Sequence, residues 1–320
     1  MNESSLYGIS PADLVAGTYE LAVQEERDAT VYPWNRSYLV GDNPAGVLDR
    51  DGTDIPNSAL IRTAGRISQS PRKIASWRIA RYHGTVIFGG YMIDHYGHFL
   101  LESLARLWFA VDNDLPIVWA SGVNLQDYQK DILTRLGIDL GRMLFLKKPT
   151  RFQSLLIPRP GYVIQDGFHA THARFLSCGD VSEPSDQRIY LSRRAFRSKI
   201  ANFDGEQQLE DTLSDAGWII LQPEKLTVSQ QRQIFASSKC LAGIEGSAFH
   251  TAILCKKMHG SIVLVRRPEQ NFNYDTIARV KKLRQYNISD HIARSFENRK
   301  FLSIVEPKKL AEKIIENSRY

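Results

Sequence analysis

The chain has 320 residues, of which 43% are hydrophobic and 24% are charged, with a formal net charge of +6. This is ordinary globular composition, and no apolar run approaches the roughly 20 residues that a membrane span needs. The small positive excess fits an anionic ligand or an acidic membrane surface and does not by itself indicate nucleic acid. The length exceeds what one hydrophobic core usually serves, so two domains are expected.

The three cysteines, Cys178, Cys240 and Cys255, are scattered and odd in number. They predict small buried residues in a reducing compartment, in preference to a disulfide framework or a zinc site. The first residues lack a basic segment followed by an apolar one, so we expect no secretory signal. A cytoplasmic location follows.

The first half of the chain predicts alternating strands and helices. Short strand-like pieces such as "SYLV" and "ALIRTAG" precede residue 70 and are separated by turn-rich segments. A buried strand, "GTVIFGG", then leads into a helix and the strand "LPIVWAS". The helix "LQDYQKDILTRLGI" and the strands "RMLFLK" and "SLLIPRP" complete this half. Strands that alternate with helices predict a parallel sheet with crossover helices.

The stretch "GYMIDHYGHFLLESLARLWFA" predicts one amphipathic helix with an unusual polar face. Asp94, His98 and Glu102 are spaced four residues apart and therefore stack along one stripe, beside His95 and Arg106. Such a face is either solvated surface or the lining of a cleft, in which a carboxylate orients a histidine and tunes its basicity. We favour the cleft, because solvated faces are usually rich in Lys, Glu and Gln.

A second α/β series follows the Gly-, Ser- and Pro-rich segment 166–186, with strands at "RIYLSRR", "WIILQP", "KCLAGIEG" and "SIVLVRRP". In open α/β sheets ligands bind at the carboxyl ends of the strands. The basic turn after "RIY" carries Arg193, Arg194 and Arg197, and arginine suits bidentate contact with phosphate. The turn "GIEGSAFH" leads into a predicted helix near Ser247, whose free N–H groups would also attract an anion. Together these two turns indicate a nucleotide diphosphate site.

Three blocks, "DHYGHFLLESLARLW", "IYLSRR" and "GWIILQPEKLTVSQQRQIFASSKCLAGIEGSAFHTAILC", resemble glycosyltransferase family 61, including its bacterial capsular-polysaccharide type. The resemblance spans residues from about 85 to 270. It implies a GT-B-like α/β fold of two facing Rossmann-like domains with an inter-domain cleft. The expected division is an acceptor-side domain over 1–175, a nucleotide-sugar-binding domain over 176–290, and a strand and helix over 291–320 that pack back on the body.

The resemblance also implies an inverting hexosyl- or pentosyltransferase that uses a nucleotide sugar, with a UDP-sugar favoured, and a glycan or lipid-linked acceptor in surface polysaccharide synthesis. It assigns donor binding to the following residues: Ser192, Arg193, Arg197, Glu245, Gly246, Ser247 and His250. The chain departs from the family in two places. Many relatives have Asn-Glu where this chain has Asn202-Phe203, with Glu206 a little later. Many eukaryotic members have His-Gly-Ala where this chain has Glu245-Gly246-Ser247.

An inverting transfer needs a base for the acceptor hydroxyl and positive charge for the departing diphosphate. We expect His98 to be the base and Glu102 to orient it, with Asp94 as the alternative base. Arginines in place of a metal favour metal-independent catalysis over a requirement for Mg²⁺ or Mn²⁺. A metal site built from Asp94, His95, His98 and Glu102 is a lesser alternative, since its spacing is not HExxH.

A non-catalytic carbohydrate- or nucleotide-binding module of the same fold is the main rival reading, and nucleic-acid binding is the weakest. The basic helices "ARVKKLRQY" and "PKKLAEKIIENSRY" either pack on the body or bring the enzyme to the anionic inner face of the plasma membrane. Oligomeric state is left open, with a homodimer among the alternatives.

Overall fold

The computed structural model describes residues 20–34, 44–62, 65–178, 182–194, 203–269, 271–294 and 302–319. The chain divides into two compact units, Met1–Leu176 (unit 1) and Ser177–Tyr320 (unit 2). The expected strand "SYLV" and the candidate Arg197 both lie outside the described residues. Within the described ranges, no helix has the length and apolar character to cross a membrane.

Unit 1 is built around a six-stranded sheet. The strands of the whole unit are β1 Val23–Tyr32, β2 Gly46–Leu48, β3 Ile61–Arg62, β4 Gly65–Arg66, β5 Ala80–Gly90, β6 Ile117–Trp119, β7 Met143–Phe145, β8 Thr150–Pro158, β9 Tyr162–Val163 and β10 Gly167–Phe168. Its α-helices are α1 Tyr96–Leu101, α2 Asp127–Arg135 and α3 Ala170–Leu176. The main sheet has the order β2-β1-β8-β5-β6-β7, and strands β8, β5, β6 and β7 run parallel.

Hydrophobic side chains from β1, β5 and β8 form the core of this unit, including Phe88 and Phe152. Strand β1 pairs antiparallel with β8, is largely exposed at its start and is buried from Ala29 to Tyr32. Strand β5 is central, and its carboxyl end leads directly into the segment that carries His98. The expected parallel α/β pattern is therefore present, with β1 and β2 added in antiparallel orientation.

Unit 2 contains a five-stranded, fully parallel sheet in the order β13-β11-β14-β15-β16. The strands of the whole unit are β11 Arg188–Leu191, β12 Phe203–Asp204, β13 Ile219–Leu221, β14 Cys240–Ile244, β15 Ser261–Val265, β16 Arg284–Ile288, β17 Ile292–Arg294 and β18 Leu302–Ile304. Its α-helices are α4 Glu206–Asp215, α5 Val228–Ser237, α6 Asn273–Lys281 and α7 Pro307–Asn317. The three cysteines are buried and free, as the sequence predicted.

Local signals in the sequence set several boundaries of unit 2. Thr227 caps α5 in a reciprocal capping box with Gln230, and Pro307 occupies the first turn of α7, where its missing N–H costs nothing. Leu310, Ala311 and Ile314 of α7 are buried in the same core as β11 and β14. Helix α7 therefore packs its apolar face against the body of unit 2.

The segment "SAFHTAILC", where we predicted a helix, forms one of the 3-10 type over Ser247–Leu254. Six of its eight residues are buried, from Phe249 to Leu254, so contacts inside the unit override the intrinsic preference for α-helical hydrogen bonds. The prediction of a helix start after Gly246 is nevertheless correct.

Candidate functional site

Three polar side chains meet in unit 1 where α1 ends. Glu102 follows α1 directly, and its side chain is only 3% exposed, whereas that of His98 is 31% exposed. Arg62, at the end of β3, donates from Nε to Oε1 of Glu102 and from Nη2 to Oε2, both at 2.8 Å. Nδ1 of His98 lies 2.6 Å from Oε2 of Glu102. The buried carboxylate thus uses both oxygens and holds a more exposed imidazole.

The proton on the His98 ring can be assigned from its neighbours. A carboxylate only accepts hydrogen bonds, so a 2.6 Å contact is favourable when Nδ1 carries the hydrogen and donates to Glu102. Nη2 of Arg62 is 3.1 Å from the same nitrogen. This longer contact is not a hydrogen bond when Nδ1 carries its hydrogen, because both groups are then donors. In this tautomer Nε2 carries the lone pair, and the ring can accept a proton there.

The carboxylate beneath His98 is charged at neutral pH. Burial raises the pKa of Glu102, but hydrogen bonds from His98 and Arg62 outweigh it and hold the pKa below its usual value. The ring of His95 lies 4.9 Å from that of His98, and desolvation followed by the His98 imidazole lowers the pKa of His95. The site therefore places one buried anion, Glu102, beside Arg62 and His98, with a second histidine, His95, whose charged form is disfavoured.

Asp94 does not stack with His98 and Glu102 as the helical wheel predicted. The helix begins only at Tyr96, because His95 is in an extended conformation and its side chain accepts a hydrogen bond from the His98 N–H. Asp94 precedes this cap and is exposed. Its carboxylate is close enough to raise the pKa of Tyr128, after the larger effect of burial.

The helix also ends earlier than predicted. Residues Ser103–Arg106 form a 3-10 turn, with the Ser103 hydroxyl accepting from the Ile93 N–H and the Ala105 carbonyl accepting from the Gly161 N–H. The N–H of Gly161 thus takes the Ala105 carbonyl, which in a continuing α-helix would accept from the N–H four residues later. Arg106, expected on the polar stripe, is buried and donates to the carbonyls of Pro158 and Asn57.

In unit 2 three neighbouring strands end in polar residues. Ser192 and Arg193 follow β11, Glu245 and Gly246 follow β14, and Arg266 and Arg267 follow β15. Because β14 lies between the other two strands in a parallel sheet, these ends share one edge. This is the edge at which ligands bind in open α/β sheets.

The guanidinium of Arg193 lies directly over the backbone of Gly246. A Cβ atom at Gly246 would fall 1.7 Å from Nη1 of Arg193, so any other residue here would displace the end of the arginine side chain. The φ of Gly246 is −176°, an extended value open to any residue, so close approach is the reason for glycine here. The family resemblance assigned Gly246 to donor binding, and in the structure the guanidinium of Arg193 fills the space beside it.

Arg193 and Arg267 meet the same aromatic ring. Their guanidinium carbons lie 5.8 and 5.3 Å from the ring centroid of Phe203. Burial, and then the charge of Arg267, lower the pKa of Arg193 to about 10, and burial also lowers the pKa of Arg267. Both arginines remain protonated at neutral pH, and together they concentrate positive charge at this edge.

Glu245 and His250 are packed more deeply than their expected contact with a ligand suggests. Glu245 is 3% exposed, and its Oε2 lies 3.2 Å from Nε of Arg266. Burial raises the pKa of Glu245 against the opposing charge of Arg266. The ring of His250 is buried and stacks on Tyr274 with centroids 5.0 Å apart.

The family model of Glycosyltransferase 61 matches residues 96–263, just over half of the chain. The chain belongs to this family. No curated protein matches the sequence of this glycosyltransferase. The matched segment begins at α1 and ends in β15, so it includes His98, Glu102 and Arg193 but neither Arg62 nor Arg267.

The sequence of this glycosyltransferase predicted part of each cluster. His98 and Glu102 are in contact as expected, and Arg193, Gly246 and Ser247 lie at one edge of the unit 2 sheet. Ser192 is buried, and its hydroxyl accepts from the Arg194 N–H at 3.3 Å. Within the described residues, the His, Cys, Asp and Glu side chains form no group of three or more suited to a metal ion.

Three residues of this glycosyltransferase were missed. Arg62 lies 40 positions before Glu102 in a two-residue strand, and no sequence signal connects the two. Arg267 stands in "VRRP", directly after a strand that the sequence predicted. Its place at the carboxyl end of that strand could have marked it as a candidate ligand-binding residue. Glu206, noted only as a departure from the family pattern, accepts hydrogen bonds at Oε1 from the Tyr190 hydroxyl and the Arg193 N–H.

Proposed function

We propose that this glycosyltransferase is an inverting hexosyl- or pentosyltransferase that moves a sugar from a nucleotide sugar to a glycan or lipid-linked acceptor in surface polysaccharide synthesis. The arrangement of Arg62, Glu102 and His98 carries the proposal. A module that only binds sugar has no use for an imidazole whose tautomer is set by a buried carboxylate. The proposal retains the GT-B-like class that the family resemblance implies, and a UDP-sugar as donor.

In the proposed reaction Nε2 of His98 takes the proton from the acceptor hydroxyl. The resulting oxygen attacks the anomeric carbon, the bond from that carbon to the diphosphate oxygen breaks, and the nucleoside diphosphate leaves. Glu102 stabilises the imidazolium that forms, and Arg62 fixes the carboxylate through two parallel hydrogen bonds. Arg62 therefore acts as a positioning residue, and Asp94 becomes a weaker candidate for the base because it lies outside the cluster.

The departing diphosphate needs positive charge, and unit 2 supplies it at the carboxyl edge of its sheet. Arg193 and Arg267 are close enough to share the Phe203 ring, and the start of the helix at Ser247 adds free N–H groups. We propose that these groups bind the donor diphosphate. Fixed guanidinium groups can stabilise this charge without a metal, so metal-independent catalysis is part of the proposal.

Nucleotide binding tests the donor site. Thermal unfolding is measured with UDP, GDP, CMP and their common sugar conjugates, each with EDTA, Mg²⁺ or Mn²⁺. A ligand at 100 times its dissociation constant stabilises the protein by about 2.7 kcal/mol. We expect stabilisation by a uridine nucleotide that is lost in Arg193→Ala and in Arg267→Ala. Arg194→Ala is the matched control, because its guanidinium pairs with Glu210.

Release of nucleoside diphosphate tests the base. His98→Ala should keep nucleotide binding and lose turnover, since a general base contributes about 10²–10⁴-fold to the rate. Arg62→Lys keeps the charge and loses the bidentate contact, so kcat should fall and its pH profile should shift while nucleotide affinity is unchanged. Full turnover in His98→Ala would reject this base and return Asp94 to consideration.

A non-catalytic binding module is the second candidate function, and one experimental result would support it. A protein that binds the nucleotide sugar tightly but releases no nucleotide with any glycan or lipid-linked acceptor would be a binding module. No binding of any nucleotide would reject both the donor site and the transferase mechanism built on it.

A further inference from the structure

We propose that a surface at the amino ends of β5 and β8 in unit 1 docks onto an anionic lipid bilayer. The surface consists of Trp77, Arg78, Arg81, Lys147 and Lys148 and is called the Trp77 patch below. It lies at the opposite end of β5 from the segment that carries His98. The proposal does not depend on the proposed function of that site.

Trp77 is the first observation. It stands in the 3-10 helix Ser76–Arg78 and is 77% exposed, the highest value among the large hydrophobic side chains of the described residues. Tryptophan is usually mostly buried, and an exposed one marks an interaction surface more often than a serine or lysine does. The guanidinium of Arg78 lies 4.6 Å from the centroid of its ring, so a cation and an aromatic ring are presented together.

The second observation is the number of cationic side chains in the segments that lead into β5 and β8. Lys147 and Lys148 come just before β8, whose first residue Thr150 lies opposite Ala80, and the Ala80 N–H donates to the Pro149 carbonyl at 3.0 Å. The four cationic side chains of the patch are Arg78, Arg81, Lys147 and Lys148. All four are exposed, and within the described part of the chain none of them forms an ion pair.

The two segments of the chain that supply β5 and β8 contain no acidic residue. No Asp or Glu occurs between Asp54 and Asp94, or between Asp139 and Asp166, and these two segments supply β5 and β8. Arg81 is also directly opposite Arg151 on the paired strands. Like charges directly opposite each other destabilise a sheet, so the protein retains a local repulsion that an anionic partner would relieve.

An anionic bilayer is the partner that fits both observations. Tryptophan favours the headgroup region, where its ring is partly in an apolar layer, and each nearby Lys or Arg gains from negative lipid. A nucleic-acid strand would instead call for several aromatic rings interleaved with the cations. The basic helix α7, considered from the sequence for the same role, has Leu310 and Ile314 buried in unit 2 and offers no apolar face to lipid.

Co-sedimentation with vesicles tests the proposal on the full chain. Vesicles contain either phosphatidylcholine alone or phosphatidylcholine with about one-third phosphatidylglycerol, and we expect binding to the anionic vesicles only. Lys147→Ala/Lys148→Ala should weaken binding about 25-fold, since each charge contributes roughly fivefold. Lys308→Ala/Lys313→Ala, which removes two exposed lysines of α7, is the matched control and should leave binding unchanged.

A second readout follows Trp77 itself. Lipids with brominated acyl chains should quench part of the tryptophan fluorescence, and Trp77→Phe should remove that part. Equal binding to neutral and anionic vesicles, no binding, or a charge variant equal to its control would overturn the proposal. So would self-association that Trp77→Ala abolishes, because the patch would then join two copies of the chain. Nucleotide-induced stabilisation, measured on Trp77→Ala, stays intact in every case and separates this test from that of the donor site.

Discussion

Glu206 offers a test of the unit 2 site that needs no substrate. The residue is fully buried, and its Oε1 accepts from the Tyr190 hydroxyl at 3.1 Å and the Arg193 N–H at 3.0 Å. Within the described residues its Oε2 has no hydrogen-bond partner. Burial raises the pKa of Glu206 to about 7 from an ordinary value of 4.5. The folded protein therefore holds a proton there that the unfolded chain releases.

The direction and size of the effect follow from proton linkage. Between pH 4.5 and about 7 the folded state binds more protons than the unfolded state, so stability falls as the pH rises through this window. Integrated from pH 5 to pH 8, the loss is roughly 2–3 kcal/mol. In Glu206→Gln the titration is absent. The stability of the variant relative to the wild type should therefore rise by that amount over the same range.

Urea unfolding at pH 5, 6, 7 and 8, read by hydrogen exchange of unit 2 peptides, measures this difference without interference from unit 1. Any constant cost of the buried amide cancels, because only the change with pH is compared. Asp211→Asn is the control, since Asp211 is an exposed carboxylate of the same helix α4. A difference that stays flat from pH 5 to pH 8 would refute the reasoning and mean that Glu206 is charged throughout.

Three further predictions concern single side chains. Arg106→Met should destabilise unit 1 by roughly 2–4 kcal/mol, because buried carbonyls including that of Asn57 lose their donor; an unchanged urea midpoint would contradict this. Gly246→Ala should weaken uridine nucleotide binding in calorimetry, because its Cβ would displace the guanidinium of Arg193, and wild-type affinity would argue against that contact. The lowered pKa of Glu102 stabilises unit 1 above about pH 4.5, and this contribution is lost as the pH falls through the folded-state pKa. Glu102→Gln should therefore show a smaller loss of melting temperature than the wild type between pH 5 and pH 3.

The sequence predicted most elements whose signals are local. Hydrophobic runs located β5, β11, β14 and β15, and capping residues located the starts of α5 and α7. The prediction of one continuous helix after β5 was wrong, because the Gly161 N–H takes the Ala105 carbonyl and the Ile93 N–H ties the Ser103 side chain to a different part of the unit. Such partners are distant in the chain, and a helical wheel cannot include them.

The same limit applies to the clusters. The four-residue spacing of His98 and Glu102 survives in the structure because it falls within one helical turn. Arg62 reaches them only because a two-residue strand brings it alongside, which no periodicity predicts. In unit 2 the adjacency of Arg193 and Arg267 follows from the strand order β11-β14-β15, and the sequence predicted the strands but not their order.

Glu102 and Glu206 show why burial alone does not decide what a carboxylate can do. Both side chains are removed from water, yet Glu102 receives two hydrogen bonds from a guanidinium, and the direct donors to Glu206 are a neutral hydroxyl and a backbone amide. The pKa is consequently lowered at Glu102 and raised at Glu206. An anion is what an imidazole needs when it takes up a proton, so Glu102 suits a partner of His98. A group that titrates near neutrality suits a different task. Glu206 accepts a hydrogen bond from the backbone N–H of Arg193, and in its protonated form it leaves the positive charge of that guanidinium for the proposed donor diphosphate.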